Sequence, residues 1–244
     1  MRKESSLIVG LCLVTLMLAV QFREVSAETP DYDDSFFDIH GSKNITGIWG
    51  SMKLQTMNYE GSYCHYWITL LVIDYDWTND HYENLAEINL SYSKNSSGSW
   101  MTVQAQAMKN GAWQTSPGIA YISTSYMGSN SLVFRTYQDG DTWWYHYSLN
   151  SGSTWSEVGH FDFDFTWSGD IACSGFENHD DLYFSSHPRL VGSSWGVDHR
   201  TSGSWTNTGF SSEEALAKDP KLVYSYSSDS ITVNYDPWWM SPEQ

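Results

Sequence analysis

The sequence predicts an all-β protein built from a repeated unit of short antiparallel strands, and two observations support that class. Aromatic residues make up 16% of the 244 residues, with 13 tryptophans, and Ser, Thr, Gly and Asn fill the spaces between them. That composition is typical of short strands joined by many turns. Tryptophans that end similar turns recur at positions 49, 100, 155 and 205, so they are 51, 55 and 50 residues apart. A period near 50 is expected of a stacked or radial β array.

The N-terminus has the pattern of a secretion signal. A short basic start precedes an apolar run from Leu7 to Phe22, and Ala27 ends a small-x-small pattern that signal peptidase accepts. The apolar run is shorter than the about 20 residues of a membrane span, so a retained anchor is the less favoured alternative. We expect residues 1–27 to be removed, residues 28–34 to form an acidic tail, and the mature chain to be extracellular or in the cell envelope.

The net negative charge of the chain excludes some classes of partner. There are 29 acidic residues against 12 Lys and Arg, which leaves a net charge of −17. Such a surface repels phosphate backbones and anionic membranes, so we expect no nucleic-acid partner and no membrane span after signal removal. Cys64 and Cys173 lie beyond the signal, and the sequence leaves open whether they form a disulfide outside the cell.

The repeated turns share a motif whose residue types suit a turn. Residues 42–49 and 93–100 both fit S-K-N-x-[ST]-G-x-W, residues 148–155 carry a related motif in a shifted register, and residues 198–205 keep the G-x-W ending. Ser and Asn side chains hydrogen-bond the amides of a turn, Gly adopts positive φ, and Trp fills space between sheets. The predicted turn residues are Ser42, Asn44, Gly47, Trp49, Ser93, Asn95, Gly98, Trp100, Ser148, Asn150, Gly152, Trp155, Gly203 and Trp205.

This succession of strand, S-x-[DN]-x-G-x-[TS]-W turn and strand resembles the Asp-box (BNR) repeats of sialidase-type β-propellers, with residues 148–155 as the best match. The resemblance extends over residues 35–236. It implies a β-propeller of four-stranded antiparallel blades, in which each such turn joins the third and fourth strands of a blade. Repeat motifs specify architecture more than activity.

Because each turn would join the third and fourth strands of a blade, the positions of the turns predict which residues form each blade. Whole blades are expected at residues 62–107, 117–160 and 169–209, and Asp139-Gly140-Asp141 is expected to be a hairpin turn. Residues 35–54 would supply two strands and residues 220–236 the other two. We therefore predict a four-bladed ring closed by pairing these terminal strands, which removes exposed edges, with residues 237–244 as a tail. An incomplete piece of a larger ring is the alternative.

The resemblance also suggests sialidase activity. That activity needs three arginines, a Tyr–Glu nucleophile pair and an acid. Arg135, Arg189 and Arg200 follow the signal, but Arg200 lies in a repeat turn, and no F-R-I-P-like segment precedes the first repeat. Asp74 and Asp76 are candidate acids, because residues i and i+2 of a strand share a face and glycoside hydrolysis uses two carboxylates. The candidates for catalysis are Arg135, Arg189, Asp74 and Asp76.

The sequence favours binding over catalysis. We expect a secreted propeller that acts as a binding or adhesion module, with extracellular glycans or envelope proteins as partners. The alternatives are a divergent sialidase-like glycoside hydrolase and a structural component of the cell envelope.

The candidate ligand-binding residues are Trp143, Trp144, His179, Asp180 and Asp181, and neighbouring Trp143 and Trp144 must point to opposite faces of a strand. The histidines lack metal-site spacing, so no metal site and no cofactor are expected. The acidic stretch 31–34 offers oxygen ligands to calcium, although a solvated tail is the favoured explanation.

Overall fold

A computed structural model describes residues 33–39, 44–54, 63–76, 78–79, 81–95, 97–129, 131–178, 189–207, 222–227 and 230–235. Within these residues the chain forms fifteen strands and a single 3-10 turn at Thr124–Tyr126. The strands are β1 Asp33–Ile39, β2 Ile45–Leu54, β3 Tyr63–Asp76, β4 His81–Asn95, β5 Gly98–Lys109, β6 Ala112–Trp113, β7 Gly118–Ile122, β8 Val133–Asp139, β9 Thr142–Ser148, β10 Ser156–Asp162, β11 Ile171–Asn178, β12 Arg189–Thr201, β13 Ser204–Asn207, β14 Leu222–Ser227 and β15 Ser230–Tyr235.

The described strands form two antiparallel sheets. The first sheet has seven strands in the order β1-β11-β3-β4-β5-β6, with β7 also paired to β5. The second sheet has eight strands in the order β10-β9-β8-β2-β12-β15-β14, with β13 also paired to β12. Long hairpins dominate the first sheet, because β3, β4 and β5 contain 14, 15 and 12 residues and follow one another along the chain.

The two sheets pack face to face through one hydrophobic core. Alternation along β4 shows how: Ala86, Ile88 and Leu90 point into this core, and Glu87 and Asn89 point the other way. Burying an Ile or Leu side chain such as Ile88 or Leu90 stabilises the fold by about 1.5–3 kcal/mol. We call the surface that each sheet turns away from this core its outward face. Core side chains with no exposed surface include Leu70, Val72, Ile88, Leu90 and Val103 of the first sheet and Ile48, Met52, Phe134, Trp143 and Tyr145 of the second.

The predicted β-propeller is wrong. The described strands form two large facing sheets, not four-stranded blades around an axis. Residues 35–54 divide between β1 in the first sheet and β2 in the second, so they do not form half a blade. The strands within residues 220–236 pair with β12 and with each other instead. The physical reason is that each long strand buries one continuous row of apolar side chains, which a facing sheet covers.

The repeat tryptophans lie in unlike surroundings, which removes the basis of the predicted blades. Trp49 lies within β2 and Trp100 within β5 of the other sheet. Trp155 immediately precedes β10, and Trp205 lies in the short β13. Similar short sequences therefore occupy different places, because strand pairing over long separations decides their environment.

The other predicted turn residues also divide between turns and strands. Positive φ values occur at Asn44 (66°), Gly98 (149°), Gly152 (85°) and Gly203 (82°). Gly47 lies inside β2, and Ser93 and Asn95 lie near the end of β4. Ser42 lies outside the described residues. The predicted hairpin turn at Asp139–Asp141 is confirmed, since Gly140 has a φ of 69° between β8 and β9.

The register of β3 settles the cysteine pairing that the sequence left open. Cys173 lies opposite Leu71, whereas Cys64 lies opposite Lys94 at the other end of β3. The seven residues from Cys64 to Leu71 span about 23 Å of strand. A disulfide needs Cα atoms within about 7 Å, so the two cysteines do not form one. Among the described residues no helix has the length and apolar character needed to cross a membrane.

Candidate functional site

A polar patch at the middle of the outward face of the first sheet is the candidate site. Glu87 of β4 lies directly opposite Gln106 of β5, and Thr69 of β3 lies opposite Asn89 of β4. Side chains of directly opposed residues have Cβ atoms about 4.5–5.5 Å apart on the same face. All four are buried, with exposed fractions of 0% for Thr69 and Asn89, 5% for Glu87 and 2% for Gln106.

The carboxylate of Glu87 is held by hydrogen bonds from its neighbours. The Thr69 hydroxyl donates to Glu87 Oε1 at 2.6 Å, and Asn89 Nδ2 donates to the same oxygen at 3.4 Å. Burying a carboxylate is costly unless it is hydrogen-bonded, and bonds to charged groups are stronger than neutral ones. The bonds from β3 and from β4 itself therefore fix the position of this carboxylate.

The two carboxamides beside Glu87 each have an unpaired atom. Within the described part of the chain, Asn89 Oδ1 and Gln106 Oε1 are buried without a hydrogen-bond partner. Asn89 keeps its Nδ2 on Glu87, so its unpaired atom is an acceptor. Rotating the Gln106 carboxamide by 180° exchanges its oxygen and nitrogen without changing its shape, so Gln106 can present either a donor or an acceptor. Buried polar groups without partners are uncommon in folded proteins, and they indicate a place where water or a ligand bonds.

The charge of Glu87 affects a tyrosine in the core, on the other side of the first sheet. Tyr145 of β9 is fully buried, and its hydroxyl donates to the backbone oxygen of Gln106 at 3.1 Å. Burial raises the pKa of Tyr145 well above its usual value, and the negative charge of Glu87 raises it further. Tyr145 therefore stays neutral and acts as a fixed donor beneath the β5 backbone.

Apolar side chains border one side of the patch. The row that contains Glu87 and Gln106 continues through Leu71 to Cys173, and Leu85 and Met108 occupy the next row. These apolar residues belong to a second buried cluster on this outward face. Glu87 and Gln106 thus lie where an apolar surface meets polar rows, which is the usual composition of a small-molecule or substrate site.

The residues predicted for catalysis from the sequence are not part of this patch. Asp74 lies at the end of β3, where a register shift separates it from Tyr75, and its carboxylate accepts from Asn84 Nδ2 at 2.9 Å. Burial raises the pKa of Asp74. Asp76 accepts hydrogen bonds from Asn79 and Thr78 in the following turn, and these bonds lower its pKa. The two acids therefore have different partners, and Asp76 stabilises a turn.

The remaining predicted residues lie elsewhere. Arg135 is on the outward face of the second sheet, and Arg189 begins β12. Trp143 is fully buried in the core and Trp144 is half-buried on the opposite face, which confirms that the two rings point in opposite directions. His179, Asp180 and Asp181 lie outside the described residues.

A possible cation cluster lies near the β3–β4 turn. Potential ligand atoms of Asp76, His81 and Glu83 come within 4.8 Å of one another, and His81 Nε2 lies 3.0 Å from Glu83 Oε1. The hydrogen bonds from Asn79 and Thr78 already engage Asp76, so the cluster is explained by the turn itself.

Glu87 and Gln106 were not among the site residues predicted from the sequence, although the sequence carries a signal for them. Both lie in alternating stretches, Leu85 to Tyr92 and Val103 to Met108, whose polar residues share one face. The β4–β5 turn brings Asn95 opposite Gly98, and Glu87 and Gln106 each lie eight residues from that turn. Counting outward from the hairpin would have placed them side by side.

Comparisons with known proteins assign no role to this site. No protein-family model matches the chain. No curated protein matches it.

Three solved structures illustrate the fold matches. Scytalido-glutamic peptidase, with a peptide-based transition-state analogue, has 13% identity, a TM-score of 0.49, and coverage of 85% of this chain and 100% of its own. SCP-B, a member of the eqolisin family of peptidases, has 11% identity and a TM-score of 0.46 over 85% of this chain and 100% of its own. The Caenorhabditis elegans galectin LEC-6 has 9% identity and a TM-score of 0.28 over 64% of this chain and 93% of its own.

These findings correct the family and function predicted from the sequence. The named matches are peptidases and a galectin rather than Asp-box sialidase-type propellers. The described strands do not form a closed ring of blades. The predicted propeller binding or adhesion module and its sialidase-like alternative are therefore wrong, because both depended on the propeller. TM-scores below 0.5 at this identity carry no argument about activity.

Proposed function

We propose that the chain hydrolyses an amide or ester bond of a substrate bound on the outward face of the first sheet. The observation that supports this is the Glu87–Gln106 pair, a buried carboxylate directly opposite a carboxamide with an unpaired end. A carboxylate held in place acts as a general base, and Gln side chains stabilise the oxyanion of acyl transfer. The proposal rests on this arrangement alone.

The reaction assigns one role to each side chain. Glu87 takes a proton from a water molecule, and the water oxygen bonds to the carbonyl carbon of the substrate. The Gln106 carboxamide donates an N–H to the oxygen on which negative charge develops. The tetrahedral intermediate then breaks its bond to the leaving amine or alcohol, which receives the proton from Glu87. Thr69 keeps the carboxylate in position through its 2.6 Å hydrogen bond.

The composition of the row favours an acyl bond over a glycosidic one. Glycoside hydrolysis uses two carboxylates about 5–9.5 Å apart. The row runs from Gln106 through Glu87, Leu71 and Cys173 to Asp38 of β1. Asp38 lies three strands from Glu87, about 14 Å away, which is too far for such a pair. Cys173 lies two strands from Glu87, about 9–10 Å away, so it is too far to be a nucleophile that Glu87 activates.

The test is a survey of peptide and ester reporters with the purified chain over a range of pH. We expect cleavage of at least one reporter class. Glu87→Gln should lower kcat/KM by about 10²–10⁴-fold, because it removes the base. Gln106→Ala should lower it by about 10²–10³-fold, because it removes an oxyanion donor.

Matched variants on the same strands serve as controls. Glu83→Gln changes a half-buried glutamate of β4 that pairs with His81, and Gln104→Ala changes a half-buried glutamine of β5. Both should leave kcat/KM within about threefold of the unmodified chain, since neither touches the reacting atoms. The proposal is refuted if no peptide or ester is cleaved, or if Glu87→Gln and Glu83→Gln retain the same activity.

An extracellular or cell-envelope location is a further proposal, supported by the signal pattern that ends at Ala27. Extracellular glycans or envelope proteins stay proposals as partners of the mature chain. N-terminal sequencing of the exported protein should give residue 28 as the first residue. A retained residue 1 on protein found inside the cell would contradict the location.

A further inference from the structure

The outward face of the second sheet carries two parallel rows of aromatic and charged side chains. In one row, Trp49 of β2, Arg135 of β8, His146 of β9 and Glu157 of β10 lie opposite one another in succession. In the adjacent row, Gly47, Tyr137, Trp144 and His160 follow the same order of strands. Directly opposed residues share a face, so these side chains form one continuous surface.

Arg135 is the centre of this surface. Its guanidinium carbon lies 4.0 Å from the centroid of the Trp155 ring and 5.0 Å from that of Tyr137. Burial lowers the pKa of Arg135, although an arginine remains charged at neutral pH. Within the described part of the chain, Arg135 has neither a hydrogen bond nor a carboxylate partner, and its Nε is buried and unpaired. A half-buried cation without an anion is unusual in a chain with 29 acidic residues.

A tight turn holds Trp155 over this arginine. The Ser148 hydroxyl accepts hydrogen bonds from the backbone N–H groups of Asn150 and Gly152, at 3.3 and 2.9 Å. Asn150 Oδ1 accepts from the backbone N–H of Thr154 at 2.9 Å. Gly152 has a φ of 85°, and a Cβ there would contact the Trp155 ring at 3.4 Å. The turn therefore determines where the indole lies.

Gly47 lets a second arginine approach the same rings. Arg200 of β12 lies opposite Gly47, and its guanidinium carbon comes within 5.6 Å of the Tyr137 ring centroid. A Cβ at position 47 would lie 2.9 Å from both the backbone oxygen of Thr136 and Cβ of Tyr137. Arg200 donates to the backbone oxygen of Gln138 at 2.6 Å, so it already has an acceptor, whereas Arg135 has none among the described residues.

We propose that this surface binds a ligand with a single carboxylate next to an aromatic ring, with Arg135 as the residue that pairs with the carboxylate. The guanidinium carbon lies over the rings of Trp155 and Tyr137, and since Nε is buried, the two Nη groups are the donors offered to a planar oxyanion. The rings of Tyr137, Trp144 and Trp155 beside it offer stacking or edge contacts to an aromatic group. The inference is independent of the proposed hydrolysis, which takes place on the other sheet.

The net negative charge of the chain favours a ligand with one carboxylate over a polyanionic ligand. A polyanion such as an acidic peptide or a polyuronate would be repelled by a chain of net charge −17. A ligand with one carboxylate needs one free guanidinium, which Arg135 provides. The aromatic free acid and the C-terminus of a peptide that ends in an aromatic residue share this chemistry.

The test is calorimetric titration of the unmodified chain with N-acetylphenylalanine and with N-acetylphenylalaninamide, which differ only in the carboxylate. We expect the acid to bind at least tenfold more tightly than the amide. Titration with 3-phenylpropionate then distinguishes the sources. Affinity equal to that of the acetylated amino acid indicates a free aromatic acid, and weaker affinity indicates a peptide C-terminus. Equal affinities for the acid and its amide, or equal affinity for acetate, would overturn the proposal.

Variants add a second, independent readout. Arg135→Gln should weaken binding of N-acetylphenylalanine at least tenfold, and Arg135→Lys should weaken it less, because lysine keeps the charge but loses the planar fork. Lys53→Gln removes a cation from the same face of β2 and should leave the affinity unchanged. Unchanged binding by Arg135→Gln, or tighter binding of oligogalacturonate or polyglutamate than of N-acetylphenylalanine, would refute the assignment.

Discussion

The outward faces of the two sheets differ in burial, in charge and in how their polar groups are satisfied. On the first sheet, Glu87 and Gln106 are almost fully buried, and the carboxylate receives hydrogen bonds from Thr69 and Asn89. On the second sheet, Arg135 is only half-buried and is held by the rings of Trp155 and Tyr137 rather than by hydrogen bonds. One face therefore holds a carboxylate in place, as the proposed hydrolysis needs, and the other holds a cation between rings, as the proposed ligand site needs.

The two outward faces lie on opposite sides of one shared core, and substitutions of Trp143 and Trp144 test that arrangement. Trp143→Ala should lower the free energy of unfolding by about 3–5 kcal/mol, because the ring is fully buried and stacks on Trp167 at 4.5 Å. Trp144→Ala should lower it by about 1 kcal/mol or less, since its half-buried ring faces outward. Urea unfolding of both variants measures the two values. Equal losses would show that the outward face of the second sheet is part of a core.

The buried carboxylate of the first sheet should depend on its donors. Thr69→Val keeps the shape of the side chain but removes the hydroxyl that bonds Glu87, so we expect a loss of about 1–3 kcal/mol. The matched control is Thr102→Val, whose hydroxyl pairs with the Ser91 hydroxyl and no charge, with an expected loss of about 0.5–1.5 kcal/mol. Chemical denaturation compares them. If Thr69→Val is no more destabilising than Thr102→Val, the Glu87 carboxylate is not held as described.

The turn beneath Trp155 should be a smaller contributor to stability. Ser148→Ala removes the acceptor of two backbone N–H groups and should destabilise the chain by about 0.5–1.5 kcal/mol. It should also weaken binding of N-acetylphenylalanine, because Trp155 loses its fixed position. Ser153→Ala, in the same turn, should change stability by less than about 0.5 kcal/mol. Thermal unfolding with parallel calorimetry checks both. Unchanged binding in Ser148→Ala would separate the turn from the arginine site.

The smallest expected effect is a dependence of stability on pH. Burial lowers the pKa of His146, and the positive charge of Arg135 lowers it further, whereas Glu157 opposes them. Burial also lowers the pKa of His199, against the effect of Asp198. The unfolded chain therefore takes up these protons first, at about pH 6.5, so stability should fall as the pH drops below that value. Unfolding at pH 7.5 and pH 5.5 measures the fall. His146→Gln should reduce it, and an unchanged pH dependence would contradict the role of His146.

Part of the fold could be predicted from the sequence because some signals are local. The alternation of side chains correctly placed Trp143 and Trp144 on opposite faces, and Asp139–Asp141 correctly predicted a hairpin. The arrangement of sheets could not be predicted this way. The G-x-W segments that suggested blades lie within β2 and β5, before β10, and in β13, and pairings such as β12 with β2 join residues about 150 apart. No local pattern encodes such pairings.

The candidate site, like the fold, could be predicted from the sequence only in part. Gln106 lies opposite Glu87 because the β4–β5 hairpin fixes their register, and that register follows from a turn which the sequence did indicate. The burial of Glu87 depends on the rest of the fold and could not be predicted. The partnership of Arg135 with Trp155 depends on the path of the turn after β9, which alternation does not predict.

The measurement that tests the central assignment most directly compares a peptide aldehyde with the corresponding peptide alcohol as ligands. The hydrated aldehyde resembles the tetrahedral intermediate, and analogues of this kind bind about 10² or more times as tightly as ground-state ligands. We predict such a preference for the aldehyde in the unmodified chain and in Gln104→Ala, and its loss in Gln106→Ala. Equal affinities for aldehyde and alcohol in the unmodified chain, or a preference that survives Gln106→Ala, would contradict a reaction site at Glu87 and Gln106.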